Sequence, residues 1–221
     1  MSPEIIRLIA ASTLDTLYMV IAATAIGTLI GLPLGVFLAT SKRGELLSAP
    51  LANSVLGIVV NATRSTPFII RTVSIIPFTR LVAGTSIGTT AAIVPLAVAA
   101  TPFIARLVEG SIREVDQGLI EAARAMGASP LQILAKVLVP EALPGIVLGL
   151  TLAIVSLIGF SAIVGVVGGG GLGDLGIRYG YQRFMPDVMA AVVLVLILLV
   201  QGIQSLGDAL SRKLNKRVRH G

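Results

Sequence analysis

Leu17-Tyr-Met-Val-Ile-Ala-Ala-Thr-Ala-Ile-Gly-Thr-Leu-Ile-Gly-Leu-Pro-Leu-Gly-Val-Phe-Leu-Ala-Thr40 runs for 24 residues without a charged side chain. About 20 mostly apolar residues suffice for a helix to cross the hydrocarbon core of a bilayer. The stretch is too long for the apolar part of a signal peptide and no convincing basic region leads it, so it reads as a retained membrane helix. The rest of the chain follows suit. Of its 221 residues 55% are hydrophobic and only 13% charged, against about 25% charged in a soluble domain. Too little polar surface exists to cover a soluble globule of this size, and disorder fails for the same reason. With no cysteine and one histidine, a disulfide framework or a thiolate metal site is excluded, and no metal site is expected.

Charge-free windows elsewhere predict an all-α membrane protein with five spans, at about residues 17–40, 51–76, 81–105, 144–167 and 188–207. The second is the least clean, because it runs through Arg64 and Arg71 towards Pro77. An odd number of spans puts the termini on opposite sides. The tail 208–221 holds Arg212, Lys213, Lys216, Arg217 and Arg219 and is expected in the cytoplasm. Alternating back places Lys42 and Arg43 inside, together with Arg106, Arg113, Arg124 and Lys136 of the loop 106–141. Eleven positives then lie inside against four outside (Arg7, Arg80, Arg178 and Arg183), which fits the positive-inside rule with the N-terminus out and the C-terminus in. The net charge of +6 is thereby explained by topology rather than by a nucleic-acid partner. One transmembrane domain over 1–221 is expected, with no soluble domain at either end.

Gly27, Gly31 and Gly35 recur every fourth residue, so three small residues share one helix face, which favours close packing against a neighbouring helix of the same chain over a dimer seam. The loop 106–141 is too long to lack structure of its own. Asp116 to Gly127 reads as an Ala-rich helix ended by Gly127 in the left-handed C′ position. Ser129 as N-cap and Pro130 as first residue open a second short helix to Val139, which Pro140 should limit. Two readings fit: a compact knob with little side-chain bulk for another protein's cleft, or a helix lying on the membrane surface through Leu119, Ile120 and Met126.

Glu121-Ala122-Ala123, then Gly127, Val137, Val139 and Pro140 at the following spacings, resembles the EAA loop of ABC importer permeases, with Val where that pattern usually has Ile and Leu. Arg64-Ser-Thr-Pro-Phe-Ile-Ile70, Ile76-Pro-Phe-Thr-Arg80, Gly84-Thr-Ser-Ile-Gly88, Pro102-Phe-Ile-Ala-Arg106, Pro140-Glu-Ala-Leu-Pro144, Gly169-Gly-Gly-Leu-Gly173 and Tyr179-Gly-Tyr181 extend the likeness over nearly the whole chain, to the methionine-import permeases. Arg71 departs from it, standing where an apolar residue is expected. The resemblance implies a type I ABC importer permease fold in the cytoplasmic (inner) membrane, moving L- or D-methionine by alternating access. It implies a homodimer in membrane lipid, two ABC ATPase subunits docked on the coupling loop (Glu121, Ala122, Ala123, Gly127, Pro140), and an extracytoplasmic methionine-binding protein. ATP and Mg would sit on the ATPase, with no cofactor on this chain and no catalytic residue. Permeases for other small solutes such as glycine betaine share the EAA loop, although aromatic content of 4% without Trp leaves little for a quaternary-ammonium cage. A stand-alone secondary carrier and a membrane scaffold are the rivals from other classes. The first would want buried ionisable groups in pairs or chains, and no carboxylate lies inside the expected spans.

Other residues bear on the pathway. Arg64 and Arg71 are seven apart and would share a helix face. Either they line the pathway near a substrate carboxylate, or Pro67 and Pro77 break the helix and leave Arg71 at the outer headgroups. Asn61, Ser65, Ser156 and Ser161 are candidates for the same polar path, and helix–helix hydrogen bonding explains them equally well. The Gly168–Gly171 run lacks the lysine of a phosphate loop and reads as a sharp backbone turn at the outer end of the fourth span. His220, at the end of the tail, is a poor ligand or base.

Overall fold

A computed structural model describes residues 2–215; Lys216, Arg217, Arg219 and His220 of the expected tail lie outside the described residues. Ten α-helices follow one another, and no strand occurs among the described residues: α1 (Pro3–Thr40), α2 (Pro50–Ser65), α3 (Phe68–Ser74), α4 (Ile76–Ala83), α5 (Thr89–Arg113), α6 (Gln117–Ala125), α7 (Pro130–Ile133), α8 (Val139–Val164), α9 (Gly171–Leu175) and α10 (Pro186–Leu214). A π-helical turn over Leu134–Leu138 fuses α7 to α8, and another follows at Gly165–Gly169. Four rods, Pro3–Thr40, Thr89–Arg113, Pro130–Gly169 and Pro186–Leu214, are long and apolar enough to cross a membrane by length and composition.

The packing centre is the seam between α1 and α5. A Cβ on Gly27 would come within 2.6 Å of the Ala100 Cβ, one on Gly31 within 2.7 Å of the Thr101 carbonyl oxygen, and one on Gly35 within 2.7 Å of the Val108 Cβ. The expected small-residue face is therefore an intramolecular seam. Both helices advance together along it, so α1 and α5 run parallel. Against α5, α8 runs antiparallel, with Gly145 beside Ser111 and Gly149 beside Leu107. Antiparallel to α8, α10 brings Gly207 against Thr151 and lets the Ser211 hydroxyl donate to the Pro144 carbonyl at 3.0 Å. At the end of the bundle opposite α6, the Thr16 hydroxyl donates to Ser12 O and accepts from Leu172 N at 2.9 Å, tying α1 to the glycine turn. Gly168, Gly170 and Gly171 all have positive φ there, as the sharp-turn reading of the run requires.

Several boundaries differ from those the sequence predicts. The segment 51–76 is not one helix. Pro67 carries no N–H to donate to the Thr63 carbonyl and pushes Thr66 into the extended region (φ −85°, ψ 129°), so α2 stops at Ser65 and two short helices follow. The expected span 81–105 is shifted, because Gly84 (φ 73°) ends α4 and α5 begins only at Thr89. It then runs on to Arg113, absorbing the first eight residues of the expected loop. Pro140 does not stop the helix that starts at Pro130. The π turn directly ahead of it widens the backbone where the proline ring would meet the carbonyl four residues back, and the rod continues to the kink at Val167–Gly168. Finally, residues 208–214 of the expected tail are the last turns of α10.

The seam sets a sharp expectation. Gly31→Val should destabilise the detergent-solubilised protein by about 1–3 kcal/mol through overpacking against Thr101 and Ile104, read as a lower Tm. Gly202→Ala, on α10 where nothing lies within 4 Å of the added methyl group, should leave Tm unchanged or raise it.

Candidate functional site: a coupling knob and a charged cavity

At the end of the bundle where α1, α5 and α10 finish, α6 and α7 form a compact knob. The Asp116 carboxylate caps α6 by accepting from Gly118 N at 2.7 Å. Gly127, with φ 78°, closes it: Gly127 N donates to Arg124 O at 2.9 Å and Ala128 N to Ala123 O at 3.1 Å, a Schellman pair. Ser129 and Gln132 then form a reciprocal capping box that launches α7. The caps predicted at Gly127, Ser129 and Pro130 are thus all in place. Ala123 is buried and Ile120 packs on the core, so the inner face of α6 is held by the bundle. Glu121, Ala122 and Arg124 are exposed, and so is Met126, at 81%. Leu131, at 69%, extends the apolar tip. Glu121 also borders a cavity between the knob and the end of α1, together with Arg43, Arg113 and Arg124. Pro140 is exposed at the start of α8, one helical rod away from the knob's turn.

A second feature is the break after α2. Arg71 fills the hydrogen-bonding gap that Pro67 creates, donating through Nη1 to the Thr63 carbonyl at 2.6 Å. Its guanidinium lies over the Phe68 ring at 5.6 Å from the centroid. Arg64, at the last turn of α2, sits 6.0 Å from the Phe103 centroid. Both arginines border one cavity of about 380 Å³. They do not share a helix face, since the helix ends between them. The turn at Pro67 brings them together instead.

Below this, a charge network ties three helices. Glu109 on α5 is buried at 7% exposure and is bridged by Arg106 and, at 2.7 Å, by Arg113. Arg106 also reaches α2, donating to Gly57 O at 3.0 Å and Asn61 Oδ1 at 2.9 Å. Arg113 donates to Leu38 O of α1 at 3.4 Å. A buried carboxylate therefore does lie inside a spanning rod, which the shorter expected span left out. It is affordable because two guanidiniums neutralise it. The Arg-x-x-Glu-x-x-x-Arg spacing from 106 to 113 was the available signal, since it puts all three on one helix face. Of the other candidates, Ser65 sits on the cavity rim with its hydroxyl donated to Asn61 O. Ser156 and Ser161 on α8 return their hydroxyls to Leu152 O and Ile158 O, and Ser161 is buried. Neither borders the Arg64 cavity.

Comparison with known proteins places this geometry. Residues 31–220 match the family described as binding-protein-dependent transport system inner membrane component. The chain is 54% identical over 210 residues to the probable D-methionine transport system permease protein MetI of Vibrio cholerae, covering 95% of this chain and 93% of that one. It is 48% identical over 165 residues to the D-methionine transport system permease protein MetI of Escherichia coli K12, covering 75% and 76%. Among solved structures, a chain of the inward-facing MetNI methionine ABC transporter superposes with a TM-score of 0.94 at 47% identity, covering 97% of this chain and 99% of that one. An amino acid ABC transporter crystallised with histidines shares the fold at a TM-score of 0.78 and 22% identity. The matched family is a transport component of the inner membrane, not an enzyme. With the match running from Gly31 to His220 and the fold shared over 97% of the chain, this chain belongs to the binding-protein-dependent transport system inner membrane components, among the D-methionine transport system permeases.

Proposed function

We propose that the chain is the permease subunit of an ATP-driven importer that carries methionine inward by alternating access. The observation that carries this is the capped α6–α7 knob on a chain that matches D-methionine permeases over nearly its whole length. Its tip presents Glu121, Ala122, Met126 and Leu131 with little bulk. Such a surface suits the cleft of a partner ATPase, which would bind the ATP and Mg, and the knob's inner face is already anchored to the bundle. Gly127 and Pro140 serve the knob indirectly, one by closing α6 and the other by standing at the π turn that joins the knob to α8. Two copies would enclose the pathway, with Asn61, Arg64 and Ser65 on the facing side, Ser156 alongside, and an extracytoplasmic binding protein supplying substrate. The broad face of α2 favours a second copy, since only Val60 of that helix is buried within one chain.

Five crossings with the N-terminus outside fit the packing. Because α1 and α5 run parallel, the intervening segment 41–88 has to return along the length of the bundle, and α2 to α4 make that return. The knob end would then face the cytoplasm. The absence of cysteine allows a direct check of this topology by labelling. A single Ser129→Cys should react with an impermeant maleimide only from the cytoplasmic face, and Phe184→Cys only from the outer face. The opposite pattern would invert the topology.

Transport itself is tested in proteoliposomes holding the permease co-purified with its ATPase, ATP inside and binding protein outside. Accumulation of radiolabelled L- or D-methionine that requires ATP is expected. Glu121→Lys should leave the protein inserted and dimeric while abolishing ATPase capture in a pull-down and methionine accumulation with it. Unchanged capture would overturn the docking role of α6.

A further inference from the structure

We infer that the cavity at the α2–α3 break is a transit site for a single amino-acid zwitterion, with the carboxylate at Arg64 and an unbranched apolar side chain against Phe103, Phe68 and Phe160. This rests on the importer reading above. Non-helical backbone at membrane depth persists only where it is buried in protein or lines a water-filled cavity. The break at Thr66–Pro67 borders a cavity of about 380 Å³, within the size range of small-molecule sites.

The walls are chemically divided. One side is aromatic: Phe68 of α3 and Phe160 of α8 stack with centroids 4.5 Å apart and planes at 10°, and Phe103 of α5 adjoins them. The other side is cationic. Arg64 and Arg71 both border the cavity and no carboxylate does. The two differ in what they have left to give. Arg71 spends Nη1 on the Thr63 carbonyl, and its Nε is buried without a hydrogen-bond partner. It acts as a positioning residue, holding the break open. Arg64 has no hydrogen bond or ion pair among the described residues, only the contact with the Phe103 face. A guanidinium left unpaired beside an aromatic wall calls for a planar anion, which it can grip with two parallel N–H donors.

The ligand's other end follows from the same break. The last carbonyls of a helix lack intrahelical donors and carry the negative end of its dipole. At α2 the Thr63 carbonyl is taken by Arg71 and the Ala62 carbonyl by the Thr66 hydroxyl, at 3.4 Å. Among the described residues no hydrogen bond reaches the carbonyls of Arg64 and Ser65, which leaves them for an ammonium group. Residues that can hold an anion, a cation and an apolar side chain thus border one cavity, a pattern that an inorganic anion would not use. A thioether side chain gains further from the edges of the rings.

The experiment uses the intact permease–ATPase complex in nanodiscs without nucleotide, and a diazirine analogue of methionine as photoprobe. Irradiation should label peptides holding Phe103 or Phe160, and excess L-methionine should suppress the label while methioninol, which lacks the carboxylate, should not. Arg64→Gln should cut both labelling and the methionine uptake rate about tenfold, the cost of one charge-assisted pair. Phe103→Leu should weaken labelling while leaving the preference for the carboxylate intact. Labelling unaffected by Arg64→Gln, equal competition by methioninol, or competition by phosphatidylglycerol in place of methionine would each overturn the inference. So would the absence of label on a complex that accumulates methionine. A wild-type complex that accumulates no methionine would instead overturn the importer reading itself.

Discussion

Close contact between α1 and α5 is the constraint on which the rest of the molecule depends. In a bilayer, lipid tails solvate apolar side chains as well as other helices do, so association is driven by packing at short range and by polar contacts. Three glycines on one face of α1 bring its backbone against Ala100, Thr101 and Val108 with no room for a single added carbon. The approach is parallel and runs over several turns. Everything between those two helices then has to travel back, and everything after α5 has to start from the end where α1 finishes. The placement of the knob beside the C-terminus of α1 follows from that geometry.

Charge is handled by the same economy. On α5 Glu109 is paired by both Arg106 and Arg113, and the two arginines turn their remaining donors to α2 and α1. α2 has little packing of its own to hold it, with Val60 its one buried residue. Its attachment to the bundle is therefore largely polar, through Arg106 to Gly57 and Asn61. A helix held by a few directional bonds can move as a unit more cheaply than one held by an interdigitated apolar face.

Much of this was legible in the chain. The four long rods, the Gly27–Gly31–Gly35 face and the caps at Gly127, Ser129 and Pro130 follow from local rules, because each depends on residues within one or two turns. What was not legible depends on compensation from a distance. Nothing local says that Pro67 breaks a helix while Pro140 does not. The difference is a π turn ahead of Pro140 and a guanidinium from Arg71 that satisfies the carbonyl orphaned by Pro67. The reach of α5 was missed for a related reason. Charge marked its end at Arg106, although Glu109, one turn on, pairs with that charge. Arg64 and Arg71 meet at one cavity through the turn at Pro67, not along the helix face that their spacing suggests. Ser156 and Ser161 look polar in the chain and are locally self-satisfied in the fold.

The fusion of α7 to α8 has a mechanical side. From Pro130 to Val166 the backbone is one helical rod, about 55 Å long at helical rise. Near its middle, Gly145 and Gly149 lie against Ser111 and Leu107, contacts about which the rod could turn. One arm ends in the knob and the other carries Phe160 into the aromatic wall of the cavity. From the pivot at Gly149 the arm to Pro130 measures about 28 Å and the arm to Phe160 about 16 Å. Turning there as a unit, such a beam would act as a lever with unequal arms: a shift of the knob would reach the cavity reversed in direction and reduced to a little over half, with a matching gain in force.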